Sequence, residues 1–131
     1  MTSFEVTTHV RTELLDITDK VRDAVAQSQV GSGMCFVYVP HTTAGVTVNE
    51  SYDSDVARDI TEALSKLVPH RGGYAHSEGN SDAHIKAAMV GSCQAMPVED
   101  GRLTLGRWQG VFFCEFDGPR QRRVQVQVTG K

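Results

Sequence analysis

Residues 94–130, QAMPVEDGRLTLGRWQGVFFCEFDGPRQRRVQVQVTG, decide the fold class. Asp100-Gly101 and Asp117-Gly118 cut this stretch into pieces, because Asp-Gly tolerates the positive φ angles of a tight hairpin. The pieces QAMPV, RLTLG, WQGVFFCEF and RRVQVQVTG carry the β-branched and aromatic content and the alternation of neighbouring antiparallel strands. Strands that follow one another without helices between them do not fit the repeated strand–helix–strand unit of a parallel sheet. The reading is α+β: a mostly antiparallel sheet, with two or three helices inserted elsewhere in the chain and packed on one side.

Working back from that stretch, SDAHIKAAMVG (81–91) reads as a short helix, capped by Ser81 or Asn80 and ended by Gly91. Residues 69–80, PHRGGYAHSEGN, show no period and many glycines, so they form a loop. From Ser51 to Val68 the spacing is helical, with Val56, Ile60, Ala63, Leu64 and Leu67 facing inward and Pro69 closing the segment. MCFVYV (34–39) is a strand buried on both sides, and Val46 and Val48 mark another strand after the polar interruption PHTTA. A further helix places Ile17, Val21, Ala24, Val25 and Ser28 on one face, with Thr18 as N-cap and Gly31 or Gly33 as stop. Residues 4–14, FEVTTHVRTEL, read as one strand.

At 131 residues the chain is sized for a single domain, 1–131. With 40% hydrophobic and 22% charged residues it has the composition of a folded protein. A net charge of −3 gives no field to attract a nucleic acid or an anionic membrane, so neither is expected as a partner. No apolar run reaches the ~20 residues of a membrane span, and the N-terminus carries no signal-like block, which points to the cytoplasm. Cys35 and Cys114 lie in apolar strand runs and read as reduced core thiols; Cys93, in a turn-like stretch, is unassigned.

Three groups of residues have chemical potential. His41, His76 and His84 lie in the PHTTA interruption, the glycine-rich loop and the first turn of the 81–91 helix. Neutral imidazole is the commonest metal ligand, and three ligands with one open position describe a catalytic zinc-type site. Their separation in sequence is equally compatible with a turn cap, a solvated ring and a helix end. Glu50, Asp55 and Asp59 can ligate a hard cation or serve as a general base, although Glu62 and Lys66 continue that stripe in the way of a solvated face. Backbone amides near Gly106 and Gly110, with Arg120, Arg122 and Arg123, offer donors and guanidinium forks that suit phosphate. Trp108 can stack on a flat heterocycle or simply pack.

The segments PHTTAGVTVNE, DSDVARD, LVPHRGGYAHSEGNSDAHIKAAMVGS and PVEDGRLTLGRWQGVFFCEFDGPRQRRVQVQV, in that order, resemble the YjbQ-like family of secondary thiamine-phosphate synthase, from about Asp16 to the C-terminus. The resemblance implies a layered β/β/α domain that assembles as a homotrimer, with pockets near subunit boundaries. It implies a divalent metal, zinc before magnesium, on His41, His76 and His84, with Glu50, Asp55 and Asp59 as catalytic acids. It further implies substrate contacts from Gly106, Trp108, Gln109, Gly110, Arg122 and Arg123, with Glu115 in the same pattern. Exposure of Val111, Phe112 and Phe113 on the late strands is a second reason to expect association. Two positions depart from the family pattern: Arg107 replaces a small polar residue, and Asp82 stands where a proline usually opens the helix. Asp82 is expected to cap that helix or to join the metal's surroundings.

The implied activity joins a pyrimidine pyrophosphate to a thiazole phosphate, releasing pyrophosphate. A metal-dependent hydrolase of a small phosphorylated or acyl substrate, with Asp55 or Glu50 as base, is the alternative enzyme. A non-catalytic trimer that binds a metal or small anion is the alternative from another class.

Overall fold

In the computed structural model, which describes residues 1–131, the last strand buries Arg122, Val124 and Val126 and turns the residues between them outward. That period of two, repeated along the chain, builds eight strands. They are β1 (Thr2–Thr7), β2 (Glu13–Asp16), β3 (Gly33–Tyr38), β4 (Ala44–Glu50), β5 (Cys93–Glu99), β6 (Arg102–Leu103), β7 (Gln109–Glu115) and β8 (Gln121–Gly130). Three helices separate them: α1 (Thr18–Ser28), α2 (Ser54–Leu67) and α3 (Ser81–Val90). The α+β reading holds, with every strand pairing antiparallel.

The strands form two sheets where the residue pattern led us to expect one. One sheet has the order β1-β8-β3-β5-β6, the other β2-β7-β4. Cys35, Val37, Val124 and Val126 from the first meet Val46, Val111 and Phe113 from the second in one core, which Val21, Ala24 and Val25 of α1 complete. The outer face of the three-stranded sheet gives Cys114 to a smaller cluster with Phe116 and with Ala83 and Ala87 of α3, and Leu64 of α2 packs against it. The order of layers is sheet, sheet, then α2 and α3, with α1 contributing to the core shared by the two sheets.

Several local expectations change for identifiable reasons. FEVTTHVRTEL is two strands in different sheets, because Thr8, only 3% exposed, turns inward and hydrogen-bonds across to Arg120. Asp100-Gly101 makes a tight turn, with φ of 52° and 74°. Asp117-Gly118 does not, since it carries the chain from one sheet to the other. Val111, Phe112 and Phe113 are buried within the chain, because β7 is central in its sheet and covered on both faces. Thr18 lies inside α1, where its hydroxyl accepts the Val111 N–H at 2.9 Å and Asp16 accepts the Thr18 N–H. An unpaired buried N–H there would cost about 1–3 kcal/mol. Gln29, with φ of 59°, ends α1 before either glycine.

The helix α2 is the least covered element. None of its residues is buried, Val56, Ile60 and Leu64 are half-buried, and Leu67 is 71% exposed. No helix is long and apolar enough to cross a membrane.

Candidate functional site

The PHTTA interruption links β3 to β4 where the two sheets come together. Glu115 at the end of β7 and Arg122 near the start of β8 point between the sheets and pair there, both almost fully buried. Arg122 Nε donates to Glu115 Oε1 at 2.9 Å, and Nη2 donates to Oε2. Nη2 also donates to the Thr43 hydroxyl and carbonyl. Glu115 further accepts from the Thr8 hydroxyl and from the N–H groups of Phe116 and Asp117. Burial alone would raise the Glu115 carboxyl, but these donors and the Arg122 charge outweigh it and hold the group below the usual carboxylate range.

Above this pair lies a cavity of about 420 Å³ with a largely polar wall, to which His41, Asn80, His84, Asp117, Arg120 and Arg122 contribute. Asp117 organises its rim. Its Oδ2 accepts from Asn80 at 2.9 Å and from Arg120 at 3.1 Å, and its Oδ1 accepts from Arg11 at 3.2 Å. Arg11 also donates to Asp82, whose other oxygen accepts from Lys86. Asp82 is therefore not a helix cap. It is a fully buried anchor that ties α3 to the chain near β2, neutralised by two cations. The Asn80 side-chain oxygen is buried without a donor.

The three histidines gather at this end of the molecule without forming a ligand triad. His76 and His84 meet edge to face with ring centroids 5.4 Å apart. His41 shares the cavity with His84, and the two also line an adjoining hollow of about 380 Å³. His41 Nε2, however, accepts the Arg123 N–H at 2.9 Å. Burial and the Arg122 guanidinium push the His41 imidazole below its ordinary value, which leaves it neutral at pH 7. No three His, Cys, Asp or Glu side chains stand in metal-ligating arrangement. By donor chemistry His76 and His84 suit a shared ion, with Glu78 3.7 Å from His76 Nε2; His41, as it is bonded, does not.

The other candidates lie elsewhere on the protomer. Glu50 lines a groove of about 600 Å³ between α2 and β2, together with Glu13, Asp16 and Asp53. Asp55 and Asp59 are exposed on α2, Asp55 facing Arg58 at 3.8 Å. None of these acids shares a cavity with the histidines.

Gly106 and Gln109 line another hollow, of about 640 Å³, beside Lys20, Arg22 and Arg107. There the Gln109 side chain accepts the Gly106 N–H, and half-exposed Trp108 packs against Tyr52 with Arg107 over its ring. Gly110 is a close-approach position: a Cβ there would lie 2.6 Å from the Ser51 Cβ. Arg123 contributes its backbone N–H to the histidine end, while Arg120 and Arg122 of the phosphate group line the cavity.

Residue patterns missed Thr43, Asp117 and Arg11 at this site. Arg11 finds its partners 71 and 106 residues away in sequence, Thr43 finds Arg122 at 79, and Asp117 joins Arg11 and Asn80 at 106 and 37. Only Asp82 and Lys86, four apart on one helix, carried a readable signal.

The sequence model of the family described as UPF0047 protein YjbQ-like matches residues 2–131. A UPF0047 protein of Methanocaldococcus jannaschii is 48% identical over 127 residues, covering 97% of this chain and 92% of that one. The Bacillus subtilis UPF0047 protein YugU is 42% identical, covering 98% of each. Among solved structures, a yjbq/upf0047 family protein of Clostridium acetobutylicum superposes with a TM-score of 0.97 at 49% identity, over 98% of this chain and all of that one. A YbjQ-like protein of Sulfolobus solfataricus gives 0.96 at 32% identity, over 99% and 96%. The names of these relatives state a family and no activity. With the match running over nearly the whole chain in sequence and in fold, the protein belongs to the YjbQ-like UPF0047 family.

Proposed function

We propose that this chain is a metal-dependent transferase acting on small phosphorylated substrates, of the thiamine-phosphate-synthase type. The observation that supports it most is the largely polar cavity in which Arg120 and Arg122 stand beside His41 and His84. Arg122 spends Nε and Nη2 on Glu115 and Thr43, and Arg120 spends Nε and Nη2 on Asp117, so each keeps Nη1 for a ligand. These fixed donors hold the pyrophosphate of the pyrimidine substrate and stabilise the charge that gathers on it as the bond to carbon breaks. His76 and His84 would hold a divalent ion, zinc before magnesium because the donors are imidazoles, and such an ion would offset the negative charge of the leaving group. The thiazole phosphate takes the vacated position on the pyrimidine's carbon, giving thiamine phosphate and pyrophosphate.

The working unit is a homotrimer. The half-covered apolar face of α2 favours association, and a neighbouring copy is what can bring Glu50, Asp55 and Asp59 to a site from which they are separate within one chain.

Incubating untagged protein with both thiamine precursors and zinc tests the reading. Thiamine phosphate formation that falls at least about tenfold in Arg120→Ala and His84→Ala is the expected result. Hydrolysis of phosphoesters without condensation would move the protein to the hydrolase class. Bound metal with no turnover would make it a binding module.

A further inference from the structure

The hydrogen bonding of His41 gives it a role other than metal ligation. Pairing between β3 and β8 ends at Tyr38 and Gln125, and beyond that point His41 Nε2 takes the place of the next acceptor in the ladder, receiving the Arg123 N–H at 2.9 Å. A ring nitrogen that accepts an N–H has no proton of its own, and its lone pair is not free for a metal. In a neutral imidazole the hydrogen then sits on Nδ1. That nitrogen has no partner within the chain, and the ring lines the polar cavity.

The formal charges around this cavity nearly balance, so the direction of the unspent groups decides what it takes. Asp117 is fully engaged by Arg11, Asn80 and Arg120, and Glu115 by Arg122. Glu78 is mostly exposed and lies toward His76. What remain beside His41 are chiefly donors, Nη1 of Arg120, Nη1 of Arg122 and Nδ1–H of His41 itself, set against the His84 ring and the one unpaired acceptor, the Asn80 side-chain oxygen.

We infer that His41 is a neutral Nδ1–H donor to an oxyanion of the phosphate class seated among these groups, and is not a ligand to the metal. This rests on the phosphorylated-substrate reading. Protonation of His41 would set an Nε2–H against the Arg123 N–H, which the strand pairing of β8 with β1 holds in place. The ring is thereby held in the one tautomer that can donate into the cavity.

Long-range proton–nitrogen correlation spectra of wild-type protein labelled in its histidines read this directly, with zinc and inorganic phosphate as separate probes. His41 is expected as the Nδ1–H tautomer, unmoved by zinc while His76 and His84 shift, and perturbed by phosphate. His41→Asn, whose amide N–H falls near the Nδ1–H position, should keep phosphate affinity within about threefold; His41→Gln should lose about tenfold.

An Nε2–H tautomer, or zinc coordination at His41, would overturn the inference and leave the phosphate reading intact. So would phosphate binding that leaves His41 unperturbed. Failure of wild-type protein to bind phosphate at all would sink both.

Discussion

Replacing Glu115 with Gln keeps the shape of the side chain and removes its charge. The carboxylate accepts from five donors at once: two on Arg122, the Thr8 hydroxyl, and the N–H groups of Phe116 and Asp117. An amide turns one acceptor into a donor, so two or more of these groups lose their partner, and a guanidinium only 4% exposed is left without its counter-charge. Breaking a buried pair by removing one partner costs about 3–5 kcal/mol. In a domain of this size that lowers the melting temperature by roughly 11–18 °C. The pH dependence has a definite sign. Because the folded Glu115 titrates below its ordinary value, the stabilisation is complete above the unfolded carboxyl's pKa and is lost as pH falls through the folded one. Wild-type stability should therefore drop more steeply than that of Glu115→Gln as pH is lowered from 5 toward 3. Denaturant unfolding followed by circular dichroism, at one protein concentration, measures both effects. A Glu115→Gln variant within about 0.5 kcal/mol of wild type at pH 7 would show that the pair does not hold the two sheets together.

Asp55→Asn and Asp59→Asn should each leave stability within about 0.5 kcal/mol, since both carboxylates are exposed, while turnover falls more for Asp55; equal turnover in all three proteins would make them surface groups. Leu67→Glu on the uncovered face of α2 should shift light scattering from about 43 kDa toward the 14.3 kDa of one chain, and an unchanged mass would place the interface elsewhere. In native protein a thiol reagent should modify Cys93 alone. Burial pushes Cys35 up to about 11 and Cys114 up to about 12, so both stay protonated, and fast reaction of more than one thiol before unfolding would contradict their placement.

The parts of the fold that were legible in the sequence are those in which burial writes a period. Ile17, Val21, Ala24 and Val25 recur at helical spacing because one face of α1 lies on the core, and all four are buried. Alternation along RRVQVQV likewise separates inside from outside. It reports faces, however, and not which sheet a strand joins. For that reason the split of FEVTTHVRTEL, and the passage at Asp117-Gly118 from one sheet to the other, were hidden. Val56, Ile60, Leu64 and Leu67 announced an apolar face without saying that this chain leaves much of it uncovered.

The site divides in the same way. The chemistry of His76 and His84 was visible from residue type, and their meeting was not. Arg122 was read as a free phosphate donor, but Glu115 across the sheets and Thr43 share its Nε and Nη2 hydrogen bonds. The tautomer of His41 depends on a backbone N–H 82 residues distant, which no local pattern encodes.

The central claim is that the cavity between His41, Arg120 and Arg122 holds the phosphorylated substrate. Titration calorimetry of pyrophosphate into wild-type protein and Arg120→Ala tests it most directly. The Arg120 side chain bonds only within its own turn, to Asp117, and its backbone bonds to Thr8 survive the substitution, so the variant should stay folded. The account predicts saturable binding by wild type and an affinity at least about tenfold weaker in the variant. No binding by wild type, or equal affinity in the two proteins, would contradict it.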